Sequence, residues 1–277
     1  MRIQAEKLVG GKGQGPALVS STPISFLGGV NPRTGEVLDP HSPIKGENVS
    51  GRVLAFPGGK GSTVGSYVLY GLSRRGRAPA AMIVEKPDTI VTVGAVIGNI
   101  TSVYGLPSDV LRPGEWVEVD GDKATVRVKD VTTYDVITCF LRNRGRILLL
   151  RRSAKVGTFQ GTWAGVSGYV EEDDIFFERA LTEIKEEVGV SDPHLVARGE
   201  PVYARNGQRL FAVHPYLFDV ENREVRLDWE HVEYRWIAPE DLQKYKGVPK
   251  LVEAYLSTVK AIPEPMPKAR VRGSGRG

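Results

Sequence analysis

The 277-residue chain has one cysteine, Cys139, and only four histidines. A lone thiol excludes an internal disulfide framework and any iron–sulfur cluster ligated by this chain alone. Cys139 falls in the apolar run from Val136 to Leu141, which predicts a buried structural thiol rather than a nucleophile. No apolar run approaches the roughly 20 residues of a membrane span. The first residues, Met1-Arg2-Ile3-Gln4-Ala5-Glu6, carry charge where a secretory signal would be apolar. The expectation is a cytoplasmic protein with no membrane partner.

Composition is that of a globular protein with room for two ordinary domains, 41% hydrophobic and 25% charged. A pI near 9.1 points toward nucleic acid until the charge is located. Residues 263–277 hold Lys268, Arg270, Arg272 and Arg276 against Glu264, three of the four net positive charges. That Pro- and Gly-rich end reads as a flexible basic tail, with polyanion binding as the weaker alternative. The nearly neutral remainder predicts no nucleic-acid partner.

Residues 1–130 are dominated by Gly, Pro and short β-type runs. Val53 to Phe56 reads as a buried strand, Pro57-Gly58-Gly59-Lys60-Gly61-Ser62 as a tight loop, and Val64 to Arg74 as a helix. Such a loop aims backbone N–H groups and the positive end of a helix dipole at one spot, which suits a phosphate or carboxylate. A Walker loop needs Gly-Lys followed directly by Ser or Thr; Gly61 intervenes, so that reading fails. Helix capping by Ser62 or Thr63 is the plain alternative. Ala17 to Ser20 and Ala80 to Val84 read as further strands, and Glu115 to Val128 as a hairpin turning at Asp120-Gly121-Asp122. Gly28 to Gly35, with Asn31 and Arg33, and Asp39-Pro40-His41 are further ligand-type clusters, although turns use the same residue types for backbone reasons.

Together these motifs resemble a known family. Gly11-Lys12-Gly13, Pro23-Ile24-Ser25-Phe26, Gly28-Gly29-Val30-Asn31-Pro32 with Thr34-Gly35, Asp39 with His41, and Pro57 to Ser62 with Gly65-Ser66-Tyr67-Val68-Leu69 resemble the swivel domain of the aconitase X group. The resemblance implies a small subunit of a hydro-lyase in the archaeal mevalonate (isoprenoid) pathway. Its partner would be a large subunit carrying an iron–sulfur cluster, and the pair would dehydrate mevalonate 5-phosphate to trans-anhydromevalonate 5-phosphate. Ser62 would be the proton acceptor, with Lys60, Gly61, Asn31, Arg33 and His41 on the substrate. Lys60 stands where many relatives have Arg, keeping the charge and losing the bidentate fork. The chemistry is consistent: removing a proton beside a carboxylate needs a base, and a Lewis acid for the departing hydroxyl must come from a second chain.

Beyond Val131 the texture changes. Tyr134 to Leu141 and Arg146 to Leu150 read as strands joined at Asn143-Arg144-Gly145. Phe177, Leu181, Ile184 and Val188 predict the apolar face of a helix that Gly189 ends. Glu183, Glu186 and Glu187 fall on another face, where like charges cost roughly 0.2–0.5 kcal/mol per pair unless neutralised. A solvated acidic stripe is the bland reading. However, Gly168, Asp174, Thr182-Glu183-Ile184, Glu186-Glu187 and Gly189-Val190 resemble the Nudix box in spacing, as do Leu150-Arg151-Arg152, Gly161 to Gly168 and Tyr234-Arg235-Trp236-Ile237 around it. This second resemblance implies Mg²⁺-dependent hydrolysis of a diphosphate, with Glu183 catalytic and Glu183, Glu186, Glu187 and Glu230 as metal ligands. Asp174 replaces the first box glutamate and Thr182 the box arginine, and Arg179 is placed four residues before Glu183 to substitute for the latter. The cysteine motif of the Nudix-like isopentenyl diphosphate isomerases is not found around Cys139.

The expected architecture is α/β: a swivelling β/β/α domain over 1–130, an α/β/α Nudix sandwich over 131–262, and the tail. The expected function is a dehydratase small subunit with an attached Nudix module. The alternatives are a Nudix hydrolase whose first domain positions or regulates it, and a pair of binding parts in a larger assembly.

Overall fold

The computed structural model describes residues 1–263; the expected basic tail, from residue 264 on, lies outside the described residues. Two compact units are present. One comprises Met1–Thr133 with Tyr203–Phe211, the other Tyr134–Val202 with the described residues from Ala212 onward.

The first unit contains β1 (Arg2–Gln4), β2 (Glu6–Val9), β3 (Lys12–Val19), β4 (Val53–Phe56), α1 (Gly65–Arg74), β5 (Ala81–Val84), α2 (Thr89–Gly98), β6 (Ser102–Tyr104), β7 (Trp116–Asp120) and β8 (Thr125–Val128). The strands run in the order β1-β8-β7-β3-β4-β5-β6-β2. The four from β3 to β6 are mutually parallel: α1 and α2 supply the crossovers from β4 to β5 and from β5 to β6, and the helix-free residues 20–52 supply that from β3 to β4. The two-residue period of these strands sorts their side chains into two cores. Leu54, Phe56, Met82 and Val84 pack with Leu69, Leu72, Val91 and Ala95 of the helices. Val53, Ala55, Ala81 and Ile83 pack instead with Val117, Val119, Val126 and Val128. The result is the expected β/β/α layering. Leu210 is fully buried in the second of these cores, and Arg205 donates to the Val110 carbonyl at 3.0 Å and pairs with Glu115 at 2.5 Å.

Two elements depart from the sequence reading. The hairpin turn is longer than a two-residue Asp-Gly turn: it runs from Gly121 to Ala124, with Ala124 at φ 51° and Asp120 Oδ1 accepting from the N–H groups of Asp122 and Lys123. Helix α2 was not anticipated, since Thr89-Ile90-Val91-Thr92-Val93 is β-branched throughout and suits a strand by propensity. Asp88 overrides that preference. Its Oδ1 accepts from the N–H groups of Ile90 at 2.8 Å and Val91 at 3.2 Å, a helix N-cap, while its Oδ2 accepts from Gly59 N–H in the glycine loop.

The second unit is built on β9 (Thr132–Asn143), β10 (Arg146–Arg152), β11 (Trp163–Ala164), β12 (Val166–Tyr169), α3 (Phe176–Val188), β13 (His194–Arg198), β14 (Val202–Asn206), β15 (Arg209–Asp219), β16 (His231–Ile237) and α4 (Leu251–Lys260), although Tyr203–Phe211, most of β14 and the start of β15, count in the first unit. Its central path is β11-β10-β9-β15-β13. Arg144 at φ 47° and Gly145 at φ 75° form the tight β9–β10 turn. Helix α3 covers one face through Ile137, Cys139, Leu148, Leu150 and Val166. On the other face Tyr255 of α4 meets Phe140 edge-on at 5.2 Å. This is the expected α/β/α sandwich. No helix among the described residues is long and apolar enough to cross a membrane.

Replacing Asp88 with Ala removes the cap of α2 and the anchor of Gly59 together. The variant is expected to lose about 1 kcal/mol or more of stability, read as a lowered denaturation midpoint of the first unit, with Asp88→Asn retaining most of it.

Candidate functional sites

The glycine loop follows β4 and leads into α1. Ile24 N–H donates to the Gly58 carbonyl and Lys60 N–H to the Ile24 carbonyl, each at 3.0 Å, so the segment Ile24 to Phe26 flanks the loop. Gly61 has φ +96°, a region that side chains strain to enter. The sequence reading expected the loop to aim backbone N–H groups and the start of α1 at one spot, and the two parts of that spot differ. Gly65, Ser66 and Tyr67 N–H groups bond to the carbonyls of Ser62, Thr63 and Val64, and Val64 N–H reaches Ser62 Oγ at 3.3 Å. The N–H groups of Gly61, Ser62 and Thr63 themselves have no partner among the described residues. Three successive unpaired donors in a glycine-led turn are groups of the kind that bind an anion, and Ser62, exposed, lies among them.

Lys60 is drawn to a group that the sequence reading left without a role: its Nζ lies 3.3 Å from Asp39 Oδ2. Asp39 also accepts the His41 N–H at 2.9 Å, and this bond, with Lys60, holds its carboxyl below the usual range. The Leu38 and Asp39 N–H groups bond to the Gly29 carbonyl, tying this turn to the Gly28-Gly29 cluster. Lys60, Asp39 and His41 are thus brought together. Asn31 is spent on its own turn, its Oδ1 accepting from the N–H groups of Arg33 and Thr34. The Arg33 guanidinium is exposed and has no ionic partner among the described residues.

The second candidate site lies on α3. Its expected apolar face is partly wrong: Phe177 is 39% exposed, whereas Glu183 and Glu187 are buried. Burial raises the pKa of Glu183 and raises that of Glu187 well above the ordinary value, and burial followed by the Asp228 charge raises Glu230. Glu187 accepts Ser167 N–H at 3.3 Å through one oxygen, while its Oε2 is buried with no hydrogen-bond partner. His231, fully buried, lies between Asp228 at 3.1 Å and Glu187 at 3.8 Å, and burial lowers its pKa. Thr182 turns away and bonds the Glu178 carbonyl at 3.0 Å, so it does nothing for Glu183. Arg179 does, donating from Nη2 to Glu183 Oε1 one helical turn along. Asp174 Oδ2 closes a local turn by accepting Glu171 N–H. Glu186 is exposed.

Oxygen-only donors, mutual repulsion and an orphaned buried carboxylate oxygen match what a hard divalent cation takes. As arranged, with Arg179 on Glu183, no three ligating side chains converge on one point among the described residues. The donor chemistry fits the ion; a preformed cage is not present.

Residues 2–128 match the family model of the aconitase X swivel domain, and residues 132–256 that of the NUDIX domain. Over 130 residues the chain is 50% identical to the phosphomevalonate dehydratase small subunit of Thermococcus sibiricus, covering 47% of this chain and 100% of that subunit. It belongs to the phosphomevalonate dehydratase small-subunit family. The small subunit of Methanocella arvoryzae is likewise 50% identical over 131 residues, 46% of this chain and 99% of its own. Among solved structures, Thermococcus kodakaraensis aconitase X in its holo form is 47% identical over 46% of this chain and 98% of that chain, with a TM-score of 0.45. The MutT protein of Methanosarcina mazei Go1 is 24% identical over 47% and 95%, with a TM-score of 0.40. This member of the phosphomevalonate dehydratase small-subunit family therefore carries a Nudix domain behind the part that matches whole small subunits.

Sequence reasoning missed Asp88, Asp228 and His231. Asp88 directly before an apolar run was a readable cap signal; the other two face Glu187 only once β16 is in register, and no local pattern announces that.

A carboxylate whose folded pKa is raised weakens the fold as pH climbs from its unfolded value through the folded one, because the native state holds the proton more tightly. In chelator, Glu187→Gln is therefore expected to raise Tm at neutral pH by about 3 °C and to flatten its decline with pH. Added Mg²⁺ should stabilise the wild type more than the variant in the same melting assay.

Proposed function

We propose that this chain is the small subunit of a hydro-lyase that dehydrates mevalonate 5-phosphate to trans-anhydromevalonate 5-phosphate, working with a cluster-bearing large subunit. The observation that carries the reading is the run of unpaired N–H groups at Gly61 to Thr63 beside the exposed Ser62, in a unit about half identical to whole dehydratase small subunits. One cysteine, Cys139, is too few to hold a cluster, and it is buried in the second unit. An iron–sulfur cluster held by the partner would supply the Lewis acid for the departing hydroxyl.

The remaining work falls to residues described above. The free N–H groups of Gly61, Ser62 and Thr63 stabilise negative charge on Ser62 Oγ or on the substrate anion, which a serine needs to act as a base near neutral pH. Lys60 is a second source of positive charge, held by Asp39 until an anionic substrate competes for it. Gly61 is fixed by its backbone: a side chain there would strain the loop that presents the donors. His41 is positioned through its own N–H on Asp39, so its imidazole remains available to the substrate. Arg33, exposed and without an ionic partner, is the group of longest reach in this set, whereas Asn31 acts through the turn that presents Arg33.

The second unit we read as a Mg²⁺-dependent diphosphate hydrolase module, the alternative principal function if the first unit only positions or regulates it. Glu183, Glu187 and Glu230 would hold the ion with the exposed Glu186, and Arg179 takes the place of the missing box arginine by holding Glu183. An ion held there would act as a Lewis acid toward a diphosphate.

Reconstituted with the large subunit, Ser62→Ala is expected to lose at least about a hundredfold in turnover while still forming the complex. Full turnover by the variant removes Ser62 as the base. Hydrolysis of nucleotide or isoprenyl diphosphates by the full chain alone, with Mg²⁺ and abolished by Glu187→Gln, is the expected signature of the second unit.

A further inference from the structure

Helix α2, Thr89-Ile90-Val91-Thr92-Val93-Gly94-Ala95-Val96-Ile97-Gly98, has no charged residue. A helix at the surface of a unit ordinarily turns a polar stripe to water. Here the inward side is accounted for: Ile90, Val91, Gly94, Ala95 and Gly98 are buried, and Gly94 leaves room for Leu69 of α1. The outward side is apolar as well. Val93, Val96 and Ile97 are exposed, Val96 by 58%, with the whole chain present. Its neighbour behaves alike. Val64, Tyr67 and Tyr70 are exposed at i, i+3 and i+6 along α1, Tyr67 by 67%. Large apolar side chains gathered on two packed helices, rather than scattered singly, mark a contact surface.

We propose that this outward face of the α1–α2 pair is where the large, cluster-bearing subunit docks. The inference rests on the dehydratase reading and adds the surface that makes it possible. Continuity with the catalytic loop selects this occupant over a second copy of the chain. Ser62 must meet a Lewis acid it does not own, so the partner has to close over the glycine loop, and the apolar face begins two residues later at Val64. The face is also intrinsic to the first unit, since the matched small subunits consist of that unit alone over 99–100% of their length. The end of α1 away from the loop carries Arg74, Arg75 and Arg77, all exposed. The complementary surface is therefore apolar at its centre, with its cluster pocket at the margin facing Ser62 and acidic residues at the opposite margin.

The test uses the full chain and the large subunit from the same organism, with the dissociation constant measured by titration calorimetry and turnover by dehydration of mevalonate 5-phosphate. Val96→Asp and Tyr67→Asp place a charge on exposed positions, so folding is retained and checked by circular dichroism and Tm. Each is expected to weaken the complex by about 30-fold or more. Trp116→Asp, exposed on β7 across the sheet from the helices, is expected to bind as wild type, and so is Ser62→Ala, which loses turnover alone. Wild-type binding by both Val96→Asp and Tyr67→Asp, beside an inactive Ser62→Ala, overturns the docking face and leaves the dehydratase reading standing. Loss of self-association in Val96→Asp with unchanged binding to the large subunit also overturns it, in favour of a second copy. Absence of both complex and turnover for the wild type overturns the dehydratase reading, and this surface with it.

Discussion

Three consecutive backbone N–H groups stay unpaired only where something else holds the chain in place, and in the first unit that is one carboxylate. Asp88 caps α2 with one oxygen and fixes Gly59 with the other, so the start of a helix and the entrance of the glycine loop share a single anchor. The loop is thereby freed from holding itself together through its own donors. A run of unpaired donors of this kind adds nothing to the stability of the fold, because polar groups without partners gain nothing from folding. Stability there comes from burial beneath it, where Phe26 and Phe56 pack edge-on at 5.9 Å.

The second unit solves the opposite problem. Instead of donors without acceptors, α3 collects acceptors without donors, turning Glu183 and Glu187 inward toward a sheet whose Cys139 they also influence. Arg179 neutralises the first of them, while the second is left with an unpaired oxygen beside a buried His231. Helical geometry explains why the substituted arginine works from four residues upstream: i and i+4 lie on one face, so the guanidinium reaches the same carboxylate from the neighbouring turn.

Much of this was readable in advance, and the failures share a cause. The buried strand at Val53 to Phe56, the β9–β10 turn and the C-terminus of α3 at Gly189 follow from local pattern and turn chemistry, and each stands where the pattern put it. Helix α2 had no such signal: its β-branched residues favour a strand, and a cap and packing on α1 decide against it. Phe177 and the two buried glutamates exchanged places for a related reason: periodicity reports that a helix has two faces, but the tertiary partner decides which is covered. The sequence pointed to the glycine loop as a source of donors but not to which N–H groups stay free, since that depends on bonds that close only in three dimensions. Asp39, quoted in a motif and given no task, acquires one from the approach of Lys60.

The solitary thiol also gives the molecule an internal clock. Cys139 is sealed beneath α3 with its ionisation suppressed by burial and by the nearby carboxylates, so a thiol reagent meets no reactive sulfur until that sheet opens. Because the first unit contains no cysteine at all, the rate of labelling reads the opening of the second unit by itself, in the intact chain and without dividing it.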